Sequence, residues 1–116
     1  MEKRTPHYDL AHVQADIACL GAAAFTKTAL DGGRTMGLTT AEMLAVIASL
    51  SRREFYKSMT TYADHRVWQD VYHAATPIRK DAYIKITLRD ATARRLPPAS
   101  PPLSVPWFCR RQRRSW

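Results

Sequence analysis

The first part of the chain carries apolar residues at intervals of three or four, which is the spacing of one helix face. The run LAHVQADIACLGA follows Asp9, a candidate N-cap residue. Its regularly spaced apolar positions are Leu10, Val13, Ile17 and Leu20. We therefore expect a first helix that begins after Asp9 and ends near Gly21, because glycine is common just past helix C-termini.

Two further segments have helical patterns. A short helix is expected from about Thr26 to the paired glycines 32–33, because glycine is a poor residue inside a helix. The run TTAEMLAVIASLS offers Thr39 or Thr40 as N-cap and Glu42 in the first turn. Its apolar positions are Met43, Val46, Ile47 and Leu50. This pattern predicts a third helix with both a cap and an apolar face.

From residue 55 onward the apolar period changes from about 3.6 to 2, which is typical of strands. The runs that show it are FYKSMTTY, RVWQDVYHA and AYIKITLRD. The short connections ADH and TPIRKD between them predict an antiparallel meander. Helices followed by strands, without strand–helix alternation, indicate an α+β fold in which the helices cover one face of the sheet. The other face is left for a ligand.

After Asp90 the strand pattern stops. Residues 91–116 hold five of the seven prolines, six arginines and no carboxylate. Such a composition does not readily continue a sheet, so we predict one domain at residues 1–90 and a solvated, disordered tail at residues 91–116. One alternative stays open: LSVPWF, at residues 103–108, can form an edge strand, where Pro106 is tolerated.

Length and charge limit the number of domains and the class of partner that the chain can have. A chain of 116 residues with 46% apolar content suffices for one domain with a modest core. The formal charge of +8 favours an anionic partner, of which nucleic acid is the commonest. Residues 1–90 hold 12 basic and 10 acidic side chains, whereas residues 91–116 hold six arginines. Most of the excess charge therefore lies in the tail.

The cysteines and the apolar runs bear on compartment and metal sites. Cys19 and Cys109 alone form neither a zinc pattern nor a disulfide framework, which favours a reducing cytosol. No apolar run reaches the roughly 18 residues of a membrane span, and MEKRTPHYDL lacks the apolar segment of a signal peptide. We expect a soluble, cytoplasmic protein. His12 and His65 lack partners at ligand spacing, and residues 64–65 suit a turn, so no metal site is expected.

Strict alternation assigns the strand residues to two faces of the sheet. The face turned away from the helices would carry Phe55, Lys57, Met59, Gln69, Val71, His73, Tyr83 and Lys85. The opposite face would carry Tyr56, Trp68, Tyr72, Ile84, Ile86 and Leu88. If the register permits, Lys57, Gln69 and Tyr83 meet on the first of these faces, although periodicity does not determine the register.

A cation, an amide and a phenol together suit RNA as a substrate. RNA carries its own nucleophile, the 2′-hydroxyl, so a protein needs only to align it and to stabilise charge on the phosphorane. A base, and an acid for the leaving oxygen, must also be present. The same three residue types are ordinary on a solvated sheet face, and composition alone favours that interpretation.

Three blocks of the chain closely resemble the MqsR toxins. They are MEKRTPH at the start, FYKSMTTYADHRVWQDVY in the middle and AYIKIT after it, in the family's order and spacing. The resemblance extends over roughly residues 1–88. It implies a RelE-like α+β fold.

The resemblance also implies a function. MqsR toxins are the toxin half of type II toxin–antitoxin pairs, and they act as mRNA interferases that cut at GC-containing triplets without a ribosome, a metal or another cofactor. The expected partners are mRNA and an MqsA-like antitoxin that binds zinc and DNA. This chain would then meet DNA only through the antitoxin, and no membrane partner is expected.

The family's motifs place its proposed catalytic residues at Lys57 in FYKSM, Gln69 in VWQDVY and Tyr83 in AYIKI. Lys57 would stabilise the phosphorane charge or, with a lowered pKa, take the proton of the 2′-hydroxyl. Tyr83 would act as an acid or as a donor to the phosphate, and Gln69 would orient the phosphate. The expected products are a 2′,3′-cyclic phosphate and a 5′-hydroxyl.

Further residues are expected to contact RNA, because unstacked bases favour aromatic and soft apolar side chains. They are His7, Tyr56, Met59, His73 and Lys85. For Tyr56 a place in the core is an equal alternative, because its parity is opposite to that of Lys57. His73 stands where family members commonly have arginine, which weakens phosphate contact but leaves an acid–base group at that position.

The tail departs from the family pattern. Family members continue after AYIKIT into a last strand beside the active site, and nothing in residues 91–116 matches that strand. The switch to alanine, arginine and proline is what a shifted reading frame in GC-rich DNA produces. Without that strand, the edge of the Tyr83 strand would be unpaired and the domain less stable. A noncatalytic homologue that only binds RNA or the antitoxin is therefore the alternative interpretation.

Overall fold

Three α-helices form one layer of the part of the chain that the structure describes. The computed structural model describes residues 1–62, 65–88 and 103–111, so residue 64 of the predicted turn lies outside it. The helices are α1, Leu10–Leu20; α2, Lys27–Thr35; and α3, Thr40–Ala48. Short 3-10 turns at Gly21–Ala24 and Arg52–Glu54 follow α1 and α3. Within the described residues no helix is long and apolar enough to cross a bilayer.

Each helix begins at the capping residue that the sequence predicts. The side chains of Asp9 and Thr26 each accept a hydrogen bond of 3.1 Å from the backbone N–H three residues further on. Thr39 and Glu42 form a reciprocal capping box at the start of α3. These contacts satisfy N–H groups that have no partner inside a helix, which is why the helices start where they do.

Helix α2 does not end at its paired glycines, as predicted, but continues to Thr35. A Cβ atom added to Gly32 would lie 2.0 Å from the backbone oxygen of Phe108, and one added to Gly33 would lie 2.3 Å from the sulfur of Met43. Gly32 therefore needs glycine because strand backbone approaches the helix there, whereas at Gly33 the flexible side chain of Met43 would have to move. The prediction was wrong because this packing outweighs the low helix propensity of glycine.

The strands of the described residues form one antiparallel sheet. They are β1, Glu2–Lys3; β2, Phe55–Thr60; β3, Trp68–Ala75; β4, Asp81–Leu88; and β5, Leu103–Arg110. Their order in the sheet is the order in the chain, since each strand pairs with the next one. The predicted meander is confirmed as β2, β3 and β4.

The core lies between the helices and one face of the sheet. Its helix residues include Val13, Ile17, Met43, Val46 and Ile47, and its strand residues include Tyr72, Ile84, Ile86, Val105 and Phe108. All of them are almost completely buried. The predicted α+β fold is therefore confirmed, with helices covering one side of the sheet. The opposite side, called the open face below, carries long polar and aromatic side chains.

A fifth strand forms within the segment that was predicted as a tail. Strand β5 pairs with β4, which places Phe108 opposite Ile84 and Cys109 opposite Tyr83. The edge strand proposed for LSVPWF is thus formed, and the expected open edge of β4 is not. The disorder predicted for the rest of the tail concerns residues 91–102 and 112–116, which lie outside the described residues.

Strand β5 tolerates a proline because it lies at the edge of the sheet. Pro106 has no N–H, but its carbonyl accepts a hydrogen bond of 3.0 Å from Thr26 Oγ1. The N–H of Thr26 donates to the carbonyl of Val105 at 3.1 Å. The start of α2 therefore covers this edge and binds β5 to the helical layer.

Strict alternation fails at the start of β2. A register shift between Phe55 and Lys57 marks a bulge in this strand relative to β3. Phe55 turns towards the core, where its ring lies 5.6 Å from that of Tyr72. Tyr56 instead lies on the open face, stacked on His73. The face predicted for Phe55 was thus wrong, and of the two positions left open for Tyr56 the structure has the open face rather than the core. Tyr72 is buried as predicted.

Candidate active site

The open face carries rows of side chains that lie opposite one another across the strands. In the middle row, Lys57 of β2 lies opposite Val71 of β3, and Val71 lies opposite Lys85 of β4. The row on one side contains Met59, Gln69 and Thr87, and the row on the other side contains His73, Tyr83 and Cys109. Strand pairing therefore sets a lysine between an amide on one side and an imidazole with a phenol on the other.

Lys57 is held in an ion pair. Its side chain is 20% exposed, and its ammonium donates a hydrogen bond of 2.7 Å to Glu2 Oε1. This bond raises the pKa of Lys57 above its ordinary value, although burial opposes the rise. The same bond lowers the pKa of Glu2. Lys57 is therefore a fixed positive charge on the open face.

Aromatic rings lie side by side next to this charge. The rings of Tyr56 and His73 are stacked with centroids 4.3 Å apart, and the His73 ring lies 5.4 Å from that of Tyr83. The Lys57 ammonium is 5.4 Å from the centroid of the Tyr56 ring. Together with Glu2, these residues form one compact group, called the Lys57 cluster below.

Burial sets the protonation states of the acid–base groups in the cluster. It lowers the pKa of His73 below 6.5, with Arg111 adding to the effect and Asp81 opposing it. It raises the pKa of Tyr83 above 10.0, and the charge of Lys57 opposes that rise. Around pH 7 the imidazole is therefore neutral and the phenol is protonated. The cluster can accept a proton, donate a proton and stabilise negative charge.

Gln69 shares the open face with Lys57 but is not adjacent to Tyr83. It lies opposite Met59, whereas Tyr83 lies opposite His73. Gln69 and His73 are four residues apart in β3, or about 13 Å along the strand. The structure therefore places the three predicted catalytic residues on one face, with Lys57 between the other two, but it does not bring all three into contact.

His7, predicted to contact RNA, lies on the other side of the sheet. Its ring stacks on Trp68 with centroids 5.4 Å apart, and its backbone N–H donates to the Asp70 carboxylate at 3.0 Å. Asp70 is buried on the helix side, so His7 is not brought to the Lys57 cluster. Trp68 was predicted to pack under the helices, but it is half-buried, with His7 and the Lys3 ammonium against its ring.

The residues of the open face that were not predicted from the sequence include Glu2 and Trp107. Glu2 belongs to the block MEKRTPH, but a strand of two residues is too short to show alternation. Trp107 lies opposite Lys85 and is 40% exposed, and it belongs to the segment predicted as a tail. Alternation within LSVPWF would place Trp107 on the buried face of Leu103 and Val105, and a register shift between β4 and β5 moves it to the open face.

Known proteins similar to this chain identify its family. A family model described as "Motility quorum-sensing regulator, toxin of MqsA" matches residues 5–95. The chain belongs to the MqsR toxin family. The mRNA interferase toxin MqsR of Escherichia coli (strain K12) is 44% identical over 88 residues, which cover 76% of this chain and 88% of that protein. The resemblance predicted from the three sequence blocks is therefore confirmed.

The match to the MqsR family model does not reach the last strand. It ends at residue 95, whereas β5 begins at Leu103. The Lys57 cluster lies in or beside the matched residues, while Trp107 and Cys109 lie beyond them. The sheet of this MqsR family member is thus completed by a segment outside the match.

Proposed function

We propose that this protein is the toxin of a toxin–antitoxin pair and an mRNA interferase, an endoribonuclease that inhibits translation and growth by cutting mRNA in the cytoplasm. Its family and the name of its Escherichia coli relative support this class. The observation that carries the proposal to this chain is the Lys57 cluster, in which the ring of Tyr56 lies next to both a fixed ammonium and a neutral imidazole, and a protonated phenol lies beside that imidazole.

The cluster supplies the groups needed for attack by the 2′-hydroxyl of RNA. The 2′-oxygen forms a bond to phosphorus while the bond from phosphorus to the 5′-oxygen breaks. One product then carries a 2′,3′-cyclic phosphate and the other a 5′-hydroxyl. His73 takes the proton of the 2′-hydroxyl, and Tyr83 donates a proton to the departing 5′-oxygen. Lys57 stabilises the negative charge that develops on the phosphorane.

Lys57 acts through its charge rather than as the base. A lysine that accepts a proton near neutral pH needs a lowered pKa, whereas the Glu2 carboxylate raises the pKa of Lys57. An ammonium that stays protonated can bind the phosphate and interact more strongly with it as charge accumulates. The role of base therefore goes to His73, whose burial keeps its imidazole neutral.

Other side chains of the open face bind the RNA strand. Tyr56 exposes a ring on which a base can stack, and Lys85 provides a charge for a phosphate. Gln69 and Met59 occupy the row beyond Lys57, where the amide orients the phosphate of the cleaved nucleotide and the thioether contacts a base. Cleavage at GC-containing triplets is proposed from the family resemblance. His7 is left out of the site because it lies on the helix side.

The proposed reaction uses no metal and no other cofactor. Charge on the phosphorane is met by Lys57, and both proton transfers are assigned to side chains, so each step has a group to perform it. RNA cleavage is therefore expected to continue in EDTA.

An MqsA-like antitoxin is the proposed protein partner. The description of the matching family model names MqsA, and the resemblance implies that zinc binding and DNA binding are properties of the antitoxin. We expect a cognate MqsA-like antitoxin to copurify with this chain and to stop RNA cleavage at a stoichiometric amount. Cleavage that continues in the purified complex would contradict this partnership.

Cleavage of a defined RNA tests the function. The purified protein is incubated in EDTA with an RNA that contains GC triplets, and the ends of the products are identified. Lys57→Ala should lower kcat/KM by roughly 10²–10³-fold, the loss seen when one donor to a developing negative charge is removed. The control Lys27→Ala removes an exposed ion pair with Asp31 on α2 and should cut as the wild type does.

The same experiment separates the two functional interpretations. RNA binding without any cutting by the wild-type protein would favour the noncatalytic homologue. Cutting by a folded Lys57→Ala protein at the wild-type rate would contradict the assignment of Lys57. Circular dichroism and thermal unfolding of each variant show whether it is folded.

A further inference from the structure

The ring of Trp107 lies on the open face although its neighbours in β5 are buried. Val105 and Phe108 are almost fully enclosed in the core, whereas Trp107 is 40% exposed. The indole N–H of Trp107 donates to Cys109 Sγ at 3.1 Å, which holds the ring against the sheet. A ring that is held in one orientation and still faces water offers a flat apolar surface to a ligand.

Positive charge lies next to this surface. The Lys85 ammonium is 5.9 Å from the centroid of the Trp107 ring and 6.0 Å from that of Tyr83. Lys57, Lys85 and Trp107 lie in one row across the sheet. Three strand spacings, or about 14 Å, separate the ends of this row. A second cation and then a ring therefore extend the open face away from the Lys57 cluster.

We propose that Trp107 and Lys85 form a subsite for a nucleotide that flanks the cleaved one, with its base stacked on the Trp107 ring and its phosphate bound by the Lys85 ammonium. This inference rests on the proposed function, because it continues the same RNA strand across the sheet. Single-stranded RNA alternates flat bases with negative phosphates, and the row offers a cation and a ring side by side. Since every base has a flat face, the subsite adds affinity without selecting a sequence.

The subsite is a property of this chain rather than of the matched family pattern. The family match ends at residue 95, and Trp107 lies in β5 beyond it. The segment that departs from the family therefore has two roles. It pairs with the strand of Tyr83, and it adds a surface that contacts the substrate.

Substitution of the ring in the full chain tests the subsite. The probes are a short single-stranded RNA with one GC-containing triplet and a copy with 2′-deoxyribose in that triplet, which lacks the nucleophile. Trp107→Ala should bind the copy about 5- to 150-fold more weakly, the range for the loss of one base–aromatic stack. It should raise KM for the cleavable RNA more than it lowers kcat. Trp107→Phe keeps a ring and should retain most of the affinity.

A matched control and an abasic series make the test specific. Tyr62→Ala removes a fully exposed ring outside the open-face rows and should bind both RNAs as the wild type does. In the wild type, an abasic nucleotide at one position beside the triplet should weaken binding by the same factor as Trp107→Ala. In Trp107→Ala that position should have no further effect, because the partner of the base is already absent.

Several results would overturn the subsite. One is wild-type affinity and KM in folded Trp107→Ala, and another is an abasic series with equal losses in both proteins. A third is unchanged RNA binding combined with weaker antitoxin binding, since the ring would then serve a protein partner. Failure of the proposed function gives a different result: the wild type would not cut the RNA, whatever the abasic series shows.

Discussion

The substitution Gly32→Ala tests whether β5 packs on α2. Inside a helix with free space around it, alanine is more favourable than glycine by about 1 kcal/mol. Here the new Cβ would lie 2.0 Å from the carbonyl oxygen of Phe108. Cβ atoms essentially never approach a non-bonded heavy atom within 3.0 Å. The obstacle is the backbone of a paired strand, which cannot turn aside as a flexible side chain can. Helix and strand would have to move apart.

The expected effect on stability is a net loss. Overpacking of a filled core costs about 1–3 kcal/mol, and a clash with strand backbone belongs at the upper end of that range. After the gain in helix propensity of about 1 kcal/mol, the free energy of unfolding should fall by about 2 kcal/mol. For a chain of 116 residues the Tm should fall by roughly 8 °C.

Urea and thermal unfolding followed by circular dichroism measure this loss. The matched control is Thr28→Ala, which places alanine at an exposed position of the same helix and adds no contact. It should be slightly more stable than the wild type, because alanine has the higher helix propensity. If Gly32→Ala proves as stable as Thr28→Ala, β5 does not pack closely on α2.

Three further predictions concern the open face and β5. Because His73 must be neutral to accept a proton, kcat/KM should rise with pH through a pKa below 6.5 and fall only above pH 10.0, where Tyr83 begins to lose its proton. A pH–rate profile of His73→Gln should lack the rise, and its persistence would exclude His73 as the base. Glu2→Gln should tighten RNA binding a few-fold at low salt, because the carboxylate no longer competes with phosphate for Lys57. Equal or weaker affinity in a binding titration would count against that competition. Phe108→Ala should lower the free energy of unfolding by about 3–5 kcal/mol in urea, whereas a loss under about 1 kcal/mol would place this ring outside the core.

The helices and strands that could be predicted from the sequence are those determined by contacts between residues close together in the chain. The caps Asp9, Thr26 and Thr39 each act on a backbone N–H three residues away, so the start of each helix is encoded nearby. Alternation in β3 and β4 likewise identified the open-face positions of Gln69 and Tyr83, because both strands keep a regular pairing there.

The positions that were not predicted depend on contacts between distant segments. The bulge at the start of β2 moves Tyr56 to the open face, and it exists only in relation to the register with β3. Glu2 reaches Lys57 because β1 pairs with β2, although the two residues are 55 positions apart in the chain. A glycine stands inside helix α2 at position 32 because the backbone of β5 approaches the helix too closely for a side chain. None of these contacts leaves a periodic pattern in the sequence.

By itself, then, the sequence determined the order of the three helices and of β2, β3 and β4, the α+β class and the residue types available for RNA chemistry. Its three family blocks also determined the toxin family. Only the tertiary structure decided that the last segment joins the sheet, that His73 lies between Tyr56 and Tyr83, and that Lys57 pairs with Glu2. Helix caps and the periodicity of apolar residues depend on residues a few positions apart in the chain. Strand register depends on which distant segments pair. Side-chain pKa values depend on which charged groups lie nearby and on how deeply the side chain is buried.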